Sequence, residues 1–178
     1  MTKKELRAAM KKRNLSLSSE ERDAASERIF GRVERLPGFS AARCAAFFCA
    51  LPDEPQTGAA LARWSAAKRI VVPRVEGDAM RFYDYVPGEL CRGAFGIAEP
   101  SAAERPCDPA DIDFIVVPGV AFTAAGARMG RGGGYYDKYL SQSGFRGVKA
   151  GVCYAHQLVG ELPVEPHDVF MDYVVTND

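Results

Sequence analysis

Three short runs carry almost nothing but apolar side chains: residues 44–50 (Cys-Ala-Ala-Phe-Phe-Cys-Ala), 70–72 (Ile-Val-Val) and 114–117 (Phe-Ile-Val-Val). A strand with one wet face alternates apolar and polar residues, so a run without alternation needs cover on both faces. The stretch between the first two runs has helical spacing, and parallel strands need such crossovers. The chain is therefore expected to fold as α/β, with an open, mainly parallel sheet and helices on both faces.

The helix signals are local and explicit. Thr2 with Glu5 forms a capping box ahead of Leu6, Ala9 and Met10, which predicts a helix over residues 3–13. Ser18 with Glu21 repeats it ahead of Ala25, Ile29, Val33 and Leu36, a stripe that stops at Pro37-Gly38. Thr57 is read as the cap of a helix over 58–68, and 70–73 then completes a strand-helix-strand unit. Further strands are expected at 80–85, 148–154 and 173–176. Residues 87–111, with Gly88, Gly93, Gly96, Pro100, Pro106 and Pro109, read as a long irregular connection, of a kind often functional. No repeat or linker divides the chain, so one domain over 1–178 with a Rossmann-like three-layer arrangement is expected.

Charge narrows the possible partners. Lys and Arg number 23 and so do Asp and Glu, giving a formal net charge of zero, without the broad basic footprint of a nucleic-acid binder. A local excess at Lys3, Lys4, Arg7, Lys11, Lys12 and Arg13 would meet either a phosphate-bearing ligand or water. No run approaches the roughly 20 apolar residues that cross a bilayer, and no apolar segment follows Lys3 and Lys4 as in a leader. The expectation is a cytoplasmic monomer acting on small molecules, with no nucleic-acid or membrane partner. Five cysteines without a Cys-x-x-Cys spacing, and two scattered histidines, suggest reduced structural thiols and no zinc cluster.

The strand at 114–117 leads through Pro118-Gly119 and Gly126 into Gly130-Arg131-Gly132-Gly133-Gly134-Tyr135-Tyr136-Asp137, after which Tyr136, Tyr139 and Leu140 have helical spacing. A glycine-rich turn that opens a helix favours anions, because amide N–H groups reach phosphate oxygens without a side chain between. Arg131 adds a guanidinium fork. The segment is neither a Walker A loop nor the dinucleotide-binding Gly-x-Gly-x-x-Gly fingerprint. By itself a glycine cluster is as often a plain turn; Arg131, Asp137 and the strand-to-helix placement tip the reading to phosphate.

Residues 117–122, Gly126, residues 128–137 and Leu140 resemble the signature of the 5-formyltetrahydrofolate cyclo-ligase (5,10-methenyltetrahydrofolate synthetase) family. Lys3 with Arg7, Glu54 with Thr57, Pro73, Gly96, Glu99-Pro100, residues 111–113, Gln157, Leu162-Pro163, Asp168 and Val175-Thr176 follow in that family's order, so the resemblance covers the whole chain. Met129 stands where leucine is usual, and residues 52–57 are a looser version of the family's acidic segment.

The resemblance implies ATP- and magnesium-dependent closure of 5-formyltetrahydrofolate to 5,10-methenyltetrahydrofolate, with release of ADP and phosphate. It also implies roles. Lys3, Arg7 and the turn Gly130, Arg131, Gly132, Gly133, Gly134, Tyr135 and Tyr136 would bind ATP. Cys49, Glu54 and Tyr135 would meet the folate, Arg131 and Tyr135 would serve catalysis, and Asp137 with Asp172 would hold magnesium. Each has a plainer reading: Asp137 complements a helix dipole, Asp172 is a surface turn, Cys49 is core, and the tyrosines pack helix on sheet. A non-catalytic folate or nucleotide binder, or a small-molecule kinase using the same turn, are the competing functions.

Overall fold

A computed structural model describes residues 1–88, 90–92, 98–100 and 105–178. In it α1 (Lys3–Leu15) and α2 (Ser19–Val33) both begin with complete capping boxes, Thr2 with Glu5 and Ser18 with Glu21. There follow β1 (Cys44–Ala46), α3 (Gly58–Ser65), β2 (Arg69–Glu76), β3 (Ala79–Asp84), β4 (Leu90–Arg92), β5 (Ala98–Pro100), β6 (Phe114–Val117), β7 (Ala121–Phe122), β8 (Arg128–Met129), α4 (Tyr135–Leu140), β9 (Val148–Val152) and β10 (Tyr173–Val175).

One six-stranded sheet runs in the order β10-β9-β6-β1-β2-β3. Every neighbouring pair is parallel except β2 with β3, a hairpin that turns back at the edge. Alternation along the strands divides the interior in two. Ala45, Ile70, Val72, Phe114, Val116, Ala150 and Val152 pack with Ile29, Phe30 and Val33 of α2 and Leu61 and Trp64 of α3. Ala46, Val71, Ile115 and Val117 face the other way, onto Tyr139 and Leu140 of α4. Two dry faces explain runs with no polar residue. Trp64 stacks on Phe47 at 4.5 Å, and its indole N–H donates to Glu34 Oε1 at 2.7 Å, so its polar atom is satisfied.

Several expectations change. β1 ends at Ala46, and Phe47, Phe48 and Cys49 stay buried while the chain leaves the sheet. The Thr57 hydroxyl makes no helix-capping bond; buried, it accepts the Ala50 N–H at 3.0 Å, an amide no strand partner serves. The connection at 87–111 is not wholly irregular. β4 and β5 pair antiparallel across it, and the buried Glu99 carboxylate accepts the Val75 N–H at 2.8 Å, which docks the segment on β2. Glycine and proline frequency hid that pairing; Gly93 and Gly96 lie outside the described residues.

Candidate active site

The site forms where β1 and β6 end. From β6 the chain runs through Pro118-Gly119 and the β7–β8 hairpin into the glycine turn. Gln157, buried, donates from Nε2 to the carbonyls of Gly119 at 3.1 Å and Val120 at 3.0 Å, fixing the exit from β6. In the turn Gly132 has φ +112° and Gly134 φ +71°, values that side chains other than glycine's resist, so the sequence Gly-Gly-Gly sets this path. Gly134 is also the residue on which α4 opens.

Arg7 reaches over from α1 and donates from Nε to Gly130 O at 2.9 Å. Arg131 points away from the turn to the acidic segment after β1: its NH2 lies 2.9 Å from Asp53 Oδ1 and 3.4 Å from Glu54 Oε2. Both carboxylates are 9% exposed in their side chains and Arg131 is 44% exposed, so the cation joins two nearly dry anions to an open face. Burial pushes Glu54 above the usual carboxylate range, and the opposing pull of Arg131 does not cancel it. For Arg131 burial acts downward, but the Asp53 hydrogen bond and the charges of Glu54 and Asp53 outweigh it and hold the guanidinium above its ordinary value.

Arg128 lies behind the turn. Its Nε donates to Pro118 O at 2.7 Å, its guanidinium is 5.0 Å from the Tyr136 ring centre, and burial lowers its pKa. Burial also raises the Tyr136 phenol well above its ordinary value. A cavity of about 220 Å³ opens between α1 and the turn, lined among others by Arg7, Met10, Asn14, Asp53, Gly119 and Arg131.

The family model described as the 5-formyltetrahydrofolate cyclo-ligase family matches residues 1–177. The chain belongs to that family. A protein named 5-formyltetrahydrofolate cyclo-ligase from Mycolicibacterium smegmatis is 30% identical over 98% of this chain and 93% of its own length. One of the same name from Escherichia coli K12 is 29% identical, over 94% and 96%. The NMR structure of the Aquifex aeolicus 5,10-methenyltetrahydrofolate synthetase has 36% identity and a TM-score of 0.88, covering 99% of this chain and 90% of that one. This agrees with the α/β fold expected from the apolar runs and with the family expected from the signature around the glycine turn.

Not every residue expected at a cyclo-ligase site converges here. Arg7, Gly130, Arg131, Glu54 and the glycines lie together, whereas Lys3 pairs with Glu165 at 3.3 Å on the surface. Cys49 is buried beside the acidic segment, and burial, with the Glu99 charge, pushes its thiol up to about 11. The Tyr135 hydroxyl is 3.5 Å from Gly77 O in the β2–β3 turn. Asp137 Oδ1 accepts the Val169 N–H at 3.1 Å. Asp172 is placed elsewhere: it precedes β10, and its Oδ2 accepts the Lys149 N–H at 2.8 Å with Lys149 Nζ at 3.4 Å. Among the described residues no three His, Cys, Asp or Glu side chains gather as a metal set. Sequence reasoning overlooked Asp53, although it adjoins Glu54, and Arg128, although it stands in the family signature.

Proposed function

We propose that this single-domain chain closes 5-formyltetrahydrofolate to 5,10-methenyltetrahydrofolate at the expense of ATP, with the β6–α4 turn as its phosphate cradle. The observation that carries this is Arg131. It springs from a phosphate-type turn and ends on Asp53 and Glu54, so the anion site and the folate-side acid share one guanidinium. A kinase would need only the first.

The chemistry needs activation more than a protein nucleophile. The N-formyl oxygen is a poor leaving group. Transfer of the γ-phosphoryl to it, with cleavage of the β–γ bridging bond, makes it a phosphate ester and leaves the formyl carbon electrophilic. The neighbouring ring-closing amine nitrogen attacks that carbon, sheds its proton, and inorganic phosphate departs. Such transfer rests on positioning and charge neutralisation. The turn amides and Arg7 bind the polyphosphate, Arg131 follows the charge on the migrating phosphoryl group, Tyr135 flanks the reacting groups, and Glu54 with Cys49 lines the pterin pocket. Burial raises the Glu54 pKa, so its carboxylate calls for a cationic or N–H partner, which suits a pterin edge rich in N–H donors.

Magnesium fits Asp137 better than Asp172. Magnesium takes one or two carboxylates plus phosphate and water, and Asp137 stands in the first turn of α4, whereas the Asp172 carboxylate is engaged by Lys149. When bound, the ion would neutralise phosphate charge. The proposal extends to a cytoplasmic monomer without nucleic-acid or membrane partner, in keeping with zero net charge and with no described helix long and apolar enough to cross a membrane.

The test incubates the protein with magnesium, ATP and 5-formyltetrahydrofolate. One free phosphate and one ADP per methenyl product are expected, with neither formed when the folate is omitted. Phosphate retained on an organic product, or no methenyl absorbance, overturns the reading.

A further inference from the structure

The segment that presents Asp53 and Glu54 is not in regular secondary structure, so something other than a sheet ladder must hold it. Its four carbonyls are taken by side chains from elsewhere or from its own turn. Leu51 O accepts from Gln56 Nε2 at 3.1 Å, Pro52 O from Arg22 at 2.9 Å, Asp53 O from Asn14 Nδ2 at 2.9 Å, and Glu54 O from Gln56 Nε2 at 2.7 Å and Tyr154 Oη at 3.1 Å.

Asn14 is the unusual member. It occupies the last turn of α1, where its neighbours Lys12, Arg13 and Leu15 are exposed, yet it is only 3% exposed itself. Asparagine is a poor helix former, and a buried amide must be satisfied on both its atoms. It is: while Nδ2 donates to Asp53, Oδ1 meets His156 Nε2 at 2.5 Å. That acceptor requires the proton on Nε2. His156 in turn stacks on Tyr154, with ring centres 5.9 Å apart and 15° between planes, and Tyr154 holds the next carbonyl. Asn14 also lines the same cavity as Arg7 and Arg131.

We infer that Asn14 and His156 are positioning residues for the cyclo-ligase reaction: His156 fixes the Asn14 amide, and Asn14 fixes the backbone from which Asp53 and Glu54 hold Arg131. The inference rests on the function proposed above. The two residues link the end of α1 and the turn after β9 to the acidic segment, so the phosphate side and the folate side share one frame.

The experiment measures steady-state kinetics of Asn14→Ala, His156→Leu and His156→Gln beside the parent. A misplacement near 1 Å costs about 100-fold. Asn14→Ala and His156→Leu are therefore expected to lose roughly 10- to 100-fold in kcat/KM for 5-formyltetrahydrofolate, with a raised folate KM and an ATP KM within about twofold of the parent. Loss of folded protein alone would lower kcat and leave both KM values unchanged. His156→Gln keeps an N–H donor at the same reach and is expected to recover most of the loss. In an Asp53→Asn background, Asn14→Ala should cost less than it does in the parent, because one of the two carboxylates it positions is gone. Parent-like folate KM in Asn14→Ala, no recovery in His156→Gln, or full additivity with Asp53→Asn would overturn the inference. An inactive parent would instead overturn the function on which it rests.

Discussion

Replacing Arg131 by methionine strands two nearly dry carboxylates. Breaking a fully buried pair by removing one partner costs about 3–5 kcal/mol, but Arg131 is 44% exposed and the surviving charges are partly screened, so about 2 kcal/mol is expected. For a chain of this length that lowers Tm by roughly 4–8 °C. The loss should depend on pH. Glu54 already has a folded pKa above its unfolded one, so the folded state holds the proton longer and stability falls as pH rises from the ordinary carboxylate value, about 4.3, to the raised folded value. Without the downward pull of Arg131 that window extends further upward. Urea unfolding at several pH values from about 5 to 8 should therefore show the Arg131→Met deficit growing with pH, and Arg131→Met with Glu54→Gln should regain about half, since only Asp53 is left unpaired. Turnover should fall about 10²- to 10³-fold in both. A deficit independent of pH, or a double variant no more stable than the single one, would refute the account of Glu54 as a carboxylate held dry beside one cation.

Asp137→Ala is expected to abolish magnesium-dependent turnover while costing only about 1 kcal/mol, the bond to Val169 N–H, as read by thermal melting with and without magnesium. Gly134→Ala meets no protein atom but sits at φ +71°, so conformational strain of about 1–2 kcal/mol is its whole cost to folding, as read by urea unfolding. Cys49, buried with its thiol pushed up to about 11, should resist iodoacetamide at neutral pH in the folded protein and react on denaturation, as followed by mass spectrometry.

The glycine turn was legible because its requirement is local: two residues of one short turn must accept a positive φ, and Gly132 and Gly134 do. The acidic segment was only half legible. Glu54 stood out through the family pattern, but Asp53 gives no local sign that it reaches Arg131, 78 residues away. His156, 142 residues along the chain from Asn14, read as an isolated histidine for the same reason. Asp172 was singled out beside Asp137, yet its carboxylate serves the edge between β9 and β10 in this structure.

By its sequence alone the chain determined which segments are strands covered on both faces, where two helices start, and which turn presents bare amides. Those properties depend on a few neighbouring residues, so their periodicity and caps suffice. The tertiary structure alone decided where β1 releases the chain, that Thr57 serves an amide of Ala50, that residues 90–92 and 98–100 pair, and that a buried asparagine ties α1 to the carboxylates facing Arg131. Each joins groups whose approach depends on how the sheet closes, and no local pattern records a partner that arrives only when the layers pack.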